Sequence, residues 1–174
     1  MKKIFSVDVE TDGLWGRPIA IAATVVSPDG VEIEAFAARI PFGEDHSEIR
    51  TQWVRENVCE GCLGIEVMSY GKMLSAFTKF YLDNKADAIV IAHCPFPVEA
   101  RTFEILHGEK LIGDWDAPFP MVGIEGLLDL AGEPLTEATA YMEKHSLPLP
   151  EGSTHNPLFD CRVATAMYRH LKGW

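Results

Sequence analysis

Asp8 and Glu10, two carboxylates one residue apart in Ser6-Val7-Asp8-Val9-Glu10-Thr11-Asp12-Gly13-Leu14, are the residues of this chain best spaced to do chemistry together. Side chains of a strand alternate between faces, so the pair projects from one face, about 6 to 7 Å apart. Like charges that close repel unless a cation sits between them. The Thr11-Asp12-Gly13 turn ends the strand and exposes its tip. Far downstream stands His155-Asn156-Pro157-Leu158-Phe159-Asp160, where Asn156 can cap a helix that has Pro157 at its first position. Asp160 then lies one turn into that helix and can point back towards the strand tips. His155 falls just outside the hydrogen-bonded turns, where a ring can move over a substrate. A set of this kind suits hard divalent cations with oxygen ligands, and metal-assisted hydrolysis.

The elements that must position these residues follow from the apolar pattern. Residues 3–9 read as a buried strand, 18–27 as a second and 31–40 as a third, joined by the Ser27-Pro28-Asp29-Gly30 turn into an antiparallel meander. Helices are expected over 47–58 and 72–82, the latter with Met73, Ala76, Phe77 and Phe80 on one stripe. A short apolar strand at 87–92 precedes a helix over 97–107; a last strand at 118–124 and helices at 125–131 and 136–144 complete the order. This alternation predicts a mixed sheet flanked by helices, in one domain spanning residues 1–174.

Composition narrows the function class. With 47% hydrophobic and 24% charged residues the chain reads as an ordinary globular protein. No apolar run reaches the length of a membrane helix, and the basic start is interrupted by Asp8 too early for a signal peptide, so a cytoplasmic location is expected. The scattered Cys59, Cys62, Cys94 and Cys161 are expected to stay reduced. Cys59-Glu60-Gly61-Cys62 is a lone CxxC without a second pair, a weak sign of zinc or redox chemistry. A net charge of -11 argues against a broad basic surface that coats long nucleic acid. Residues 104–137 hold eight acids against Lys110 alone, whereas from His155 onwards Asp160 is the only acid beside Arg162, Arg169 and Lys172. The acidic stretch reads as a solvated face, and the last helix as the better place to meet phosphates.

On Asp8-Val9-Glu10-Thr11-Asp12-Gly13-Leu14 and on His155-Asn156-Pro157-Leu158-Phe159-Asp160 the chain resembles the DEDDh branch of 3′-to-5′ exonucleases, which have an RNase H-like fold. The second motif of that family matches Ile91-Ala92-His93-Cys94-Pro95-Phe96-Pro97-Val98-Glu99-Ala100-Arg101-Thr102-Phe103, with two departures: Cys94 stands where the family has Asn, and Glu99 where it has Asp. The resemblance implies an α/β RNase H-like fold with a mixed central sheet of about five strands. It also implies two Mg²⁺ or Mn²⁺ ions held by Asp8, Glu10, Glu99 and Asp160, roughly 3.5 to 4 Å apart. His155 would be the general base, and Thr11, Leu14 and Phe103 the substrate contacts.

The substrates this implies are single-stranded DNA or RNA 3′ ends or short oligonucleotides, released as nucleoside 5′-monophosphates. Two other readings stay open: a non-catalytic nucleic-acid-binding or interaction module of the same fold, and a phosphodiesterase for a small nucleotide. A homodimer is also left open. His93 is expected to support the strand–loop junction by hydrogen bonding. Arg101 and Arg162 are candidates for phosphate contact. Trp15, Trp53, Trp115 and Trp174 are not interleaved with cations, so no aromatic stacking strip is expected.

Overall fold

The computed structural model describes residues 2–43 and 45–174. The meander expected at the start is present: β1 (Lys3–Thr11), β2 (Pro18–Val26) and β3 (Glu32–Arg39) pair antiparallel in that order. β2 is the apolar run Pro-Ile-Ala-Ile-Ala-Ala-Thr-Val-Val and is buried along its whole length, as a strand covered on both faces must be. α1 (Gln52–Asn57), a 3₁₀ turn (Glu60–Cys62), β4 (Glu66–Val67) and α2 (Tyr70–Asn84) follow. Next come β5 (Ala88–Ala92), α3 (Val98–Gly108), β6 (Val122–Gly123), α4 (Ile124–Ala131), α5 (Ala138–Lys144) and α6 (Pro157–Lys172). The sheet has six strands in the order β4-β3-β2-β1-β5-β6, with β4, β5 and β6 joined in parallel to their neighbours, so it is mixed.

β1 decides where everything else sits. Phe5, Val7 and Val9 enter a core shared with Phe77 and Tyr81 of α2 and with Phe103 and Leu106 of α3. Ile4 faces the other way, into a second core built with Ile124, Met142, Phe159 and Met167 of α4, α5 and α6. The two-residue period therefore puts Asp8 and Glu10 on the α6 face. β5 pairs with β1 only from Lys3 to Ser6, so the stretch bearing both carboxylates runs on past the last β5 partner.

Two expected elements differ and one is new. The helix expected over 47–58 is shorter, Gln52–Asn57, and gives way to the 3₁₀ turn. The strand expected over 118–124 shrinks to Val122–Gly123; Pro118 and Pro120 lack the N–H that a ladder requires. β4 was not expected, because two residues carry no periodic pattern. β4 alone accounts for the sixth strand where about five were expected. Among the described residues no helix is long and apolar enough to cross a membrane.

Candidate active site

Asp8 and Glu10 pair across the ladder with Ala22 and Ala20 of β2, whose single methyl groups leave the α6 face open in front of the carboxylates. The third acid comes from the first turn of α6. That helix starts as its sequence dictates: the Asn156 side chain accepts the N–H groups of Leu158 and Phe159 at 3.1 and 3.3 Å, with Pro157 at the first position. Carboxylate oxygens of Asp8, Glu10 and Asp160 lie within 4.8 Å of one another, the one such group of ligating side chains among the described residues. Asp160 also accepts the main-chain N–H of His155 at 2.9 Å. The His155 imidazole lies with Nδ1 3.3 Å from Glu10 Oε1, and its backbone is left-handed at φ +65°.

Glu99 sits on the first turn of α3 and is 3% exposed. Its Oε1 accepts the N–H of Val9 at 3.1 Å, on the stretch of β1 that β5 no longer pairs. The second motif is thereby joined to the main chain between Asp8 and Glu10. Glu99 approaches from the α3 side and is not one of the three acids within 4.8 Å of each other.

Crowding of acids in a desolvated place shows in their protonation. Burial first, and then the charges of Asp160, Glu10 and Glu99, hold the Asp8 carboxyl well above the ordinary carboxylate range. Burial followed by Glu10 pushes Asp160 up to about 7. Burial lifts Glu99 to about 8 against the opposing Val9 N–H. His155 is raised chiefly by its hydrogen bond to Glu10. An all-oxygen donor set whose members repel one another fits a hard divalent cation, which would remove the repulsion.

The turn after β1 braces the site. Asp12 accepts the N–H groups of Arg50 and Thr51 at 3.0 and 2.8 Å, and Gly13 at φ +82° lies so close that a Cβ would stand 2.8 Å from Thr51 Oγ1. α1 is thus seated on the strand tip, with the Trp53 ring edge-on to His155 at 5.6 Å. On the other side Thr136 and Thr139, around the start of α5, line a cleft of about 480 Å³ together with Asp8, Glu10, His155 and Asp160.

The remaining expected site residues scatter. Leu14 is 60% exposed beside the strand tip, while Thr11 is buried. Phe103, expected against a base, is instead a core residue, 4% exposed and packed on Tyr81 at 4.9 Å. Arg162 is not free for phosphates: it forms a two-point ion pair with Glu32 at 2.9 and 2.8 Å. Arg169 lies against the Ser27–Gly30 turn, donating to Pro28 O at 3.4 Å. α6 starts at the site and runs away from it, so its later cations are carried off at about 1.5 Å per residue. His93 supports the junction as expected, with Nε2 2.6 Å from Leu135 O.

Two residues were missed. Trp15, 57% exposed in the turn after β1, meets Phe96, 75% exposed in the loop after β5, edge to face at 6.0 Å. The Arg101 guanidinium lies 5.9 Å from the Trp15 ring. β1 and β5 are parallel, so both loops leave the same end of the sheet, the end bearing Asp8 and Glu10. An aromatic pair with a cation does exist there, assembled from segments distant in sequence.

No family model matches the sequence, and no curated protein matches it at a significant level. Solved structures do. The nuclease domain of 3′hExo, a DEDDh family member bound to rAMP, superposes with a TM-score of 0.69 at 11% identity over 99% of this chain and 92% of that one. The fold is that of the DEDDh exonucleases. E. coli Exonuclease I in complex with a dT13 oligonucleotide gives a TM-score of 0.66 at 11% identity, covering 99% of this chain and 41% of that one. Exonuclease X in complex with 5′ overhanging duplex DNA gives 0.57 at 14% identity, covering 98% and 93%. Both expectations of fold class, RNase H-like and mixed-sheet, therefore hold, and the DEDDh fold brings the acids of the first and last motifs together at one sheet end.

Proposed function

We propose that this protein is a metal-dependent 3′-to-5′ exonuclease that trims single-stranded ends or short oligonucleotides to nucleoside 5′-monophosphates. The observation that carries the reading is the convergence of Asp8, Glu10 and Asp160 within 4.8 Å, with His155 at its edge, on a DEDDh exonuclease fold. Asp8, Glu10 and Asp160, with Glu99 behind them, would hold two Mg²⁺ or Mn²⁺ ions. When bound, these supply Lewis-acid polarisation of the scissile phosphate and charge stabilisation at the leaving 3′-oxygen.

The chain's own residues do the rest. Glu10 accepts from His155 Nδ1, which fixes that nitrogen as the protonated one and leaves Nε2 as the atom that takes a proton from the attacking water. The Asp160 contact to the His155 N–H holds the same residue from its main chain. Leu14, Trp15 and Phe96 form an apolar rim for bases. The neighbouring structures were solved with rAMP and with oligonucleotides, which supports nucleic-acid ends as the substrate class.

A gel of end-labelled substrates tests this. With Mg²⁺ or Mn²⁺, a free 3′ end should give a ladder shortening one nucleotide at a time, and a 3′-blocked strand or a circle should survive. Cutting of the circle, or no turnover with any strand, would overturn the reading. Hydrolysis confined to mononucleotide esters would move the substrate class to small phosphodiesters.

A further inference from the structure

The spacing of Cys59-Glu60-Gly61-Cys62 is a weak sign of zinc or redox chemistry. Both cysteines are free, both are fully buried, and neither belongs to a group of ligating side chains among the described residues. The contacts of the segment lead elsewhere. The Cys62 thiol donates to the main-chain carbonyl of His155 at 3.4 Å. Gly61 lies so near the same carbonyl that a Cβ would stand 2.7 Å from its oxygen and 2.8 Å from its carbon. Real Cβ atoms do not approach that closely, so only glycine fits without displacing His155.

His155 needs holding. Its φ of +65° is one that L side chains seldom adopt, and such a conformation persists only where the surroundings fix it. The Asp160 carboxylate takes its N–H at 2.9 Å, the 3₁₀ turn takes its carbonyl, and Trp53 stands edge-on to its ring at 5.6 Å. The turn is itself anchored in the core through Cys59 and Cys62. Burial pushes the Cys62 thiol upwards, so it stays protonated and remains a donor.

We infer that the Glu60–Cys62 turn is the seat of the general base: Gly61 and Cys62 are positioning residues that fix the His155 carbonyl and, through it, the direction of the imidazole over Glu10. The catalytic consequence rests on the proposed exonuclease reading; the seat does not. A misplacement of about 1 Å at a reacting group can cost on the order of 10²-fold in rate, which sets the scale of the effect.

The test compares Gly61→Ala, Cys62→Ala and Cys62→Ser in the full chain. Gly61→Ala should lower kcat about 10- to 100-fold with KM within about twofold. Cys62→Ala should lower kcat about three- to tenfold, the scale of one lost hydrogen bond, and Cys62→Ser should recover most of it by keeping a donor. The second readout needs no turnover: the ring-proton NMR resonances of His155, displaced by the adjacent Trp53 ring, should move towards those of an exposed histidine in Gly61→Ala and Cys62→Ala but not in Cys62→Ser. Should Gly61→Ala fail to fold, the two Cys62 variants decide. If the wild type proves inactive while the resonances move, the exonuclease reading fails and the seat stands. Unmoved resonances in a folded Gly61→Ala or Cys62→Ala would overturn the seat.

Discussion

The Glu99 carboxylate accepts the N–H of Val9 at 3.1 Å, so the acid of the second motif is hydrogen-bonded to the main chain between the two acids of the first. On the proposed exonuclease reading Glu99 would have two separable duties, holding the Val9 N–H and lending its charge to the metal site. Glu99→Gln keeps a carbonyl oxygen for Val9 and should fold with a melting temperature near the wild type's, while loss of the charge cripples turnover. Glu99→Asp is one methylene short of Val9 and should lose about 1 kcal/mol of stability while keeping part of the rate. Thermal melts beside rate measurements check both. A fully active Glu99→Gln would reduce Glu99 to its structural duty.

Metal-free stability should fall as pH rises. Asp160 at about 7 and Glu99 at about 8 lie above the roughly 4 of an unfolded carboxyl, so between these values the folded state binds more protons than the unfolded one. This contribution is fully present below about pH 4, falls steadily above it, and is lost as pH climbs through about 7 to 8. His155, also raised in the fold, adds to the same trend. Melts in a chelating buffer should therefore drop from pH 5 to pH 8, and Mg²⁺ or Mn²⁺ should raise the melting temperature more at pH 8 than at pH 5. Asp160→Asn should flatten the pH dependence and shrink the metal-induced rise. A metal-free melt that climbs between pH 5 and pH 8 would contradict the crowding argument.

His155→Ala should cost about 10² to 10⁴-fold in rate, the usual range for a positioned base. The metal-induced rise in melting temperature should stay close to the wild type's, because the three acids remain. A variant that no longer responds to the metal would make the imidazole a ligand.

Phe103→Ala should cost about 3 to 5 kcal/mol, because the ring packs on Tyr81 and Phe77 within the core, while the rate per folded molecule changes little. Denaturant melts measure the first and active-site titration the second. This residue also marks where the sequence stops being legible. Asp8 and Glu10 were readable because a strand's two-residue period needs no partner to define it. Asp160 was readable because Asn156 and Pro157 announce the helix start. Which way α3 turns its faces depends on packing against α2, and nothing local to residues 98–108 states that. The same limit hid Arg162, whose partner Glu32 lies across the sheet, and Trp15 with Phe96, which meet only because β1 and β5 run parallel.

Trp15 and Phe96 set the last expectation, a preference for unpaired ends. Stacking a base on an aromatic side chain contributes about 1 to 3 kcal/mol, and a base can stack only where it has left its duplex partner. Trp15→Ala and Phe96→Ala should each raise KM for a single-stranded oligonucleotide about 5- to 150-fold, with smaller effects on kcat. Hydrolysis of a mononucleotide ester, which has no further base to stack, should hardly change. The net charge is -11, and Arg162 and Arg169 of α6 are held at Glu32 and the Ser27–Gly30 turn, so that helix offers no free pair of arginines to follow a backbone. Two or three phosphate contacts would give a salt slope of roughly −2, against about −10 for a protein that neutralises many. Binding of the slowed His155→Ala protein to labelled dT oligomers across a salt series measures that slope. Blunt duplex bound and cut as well as single strands, with Trp15→Ala unaffected, would defeat the stacking argument and leave the acids at the end of β1 as the sole determinant of the proposed cleavage.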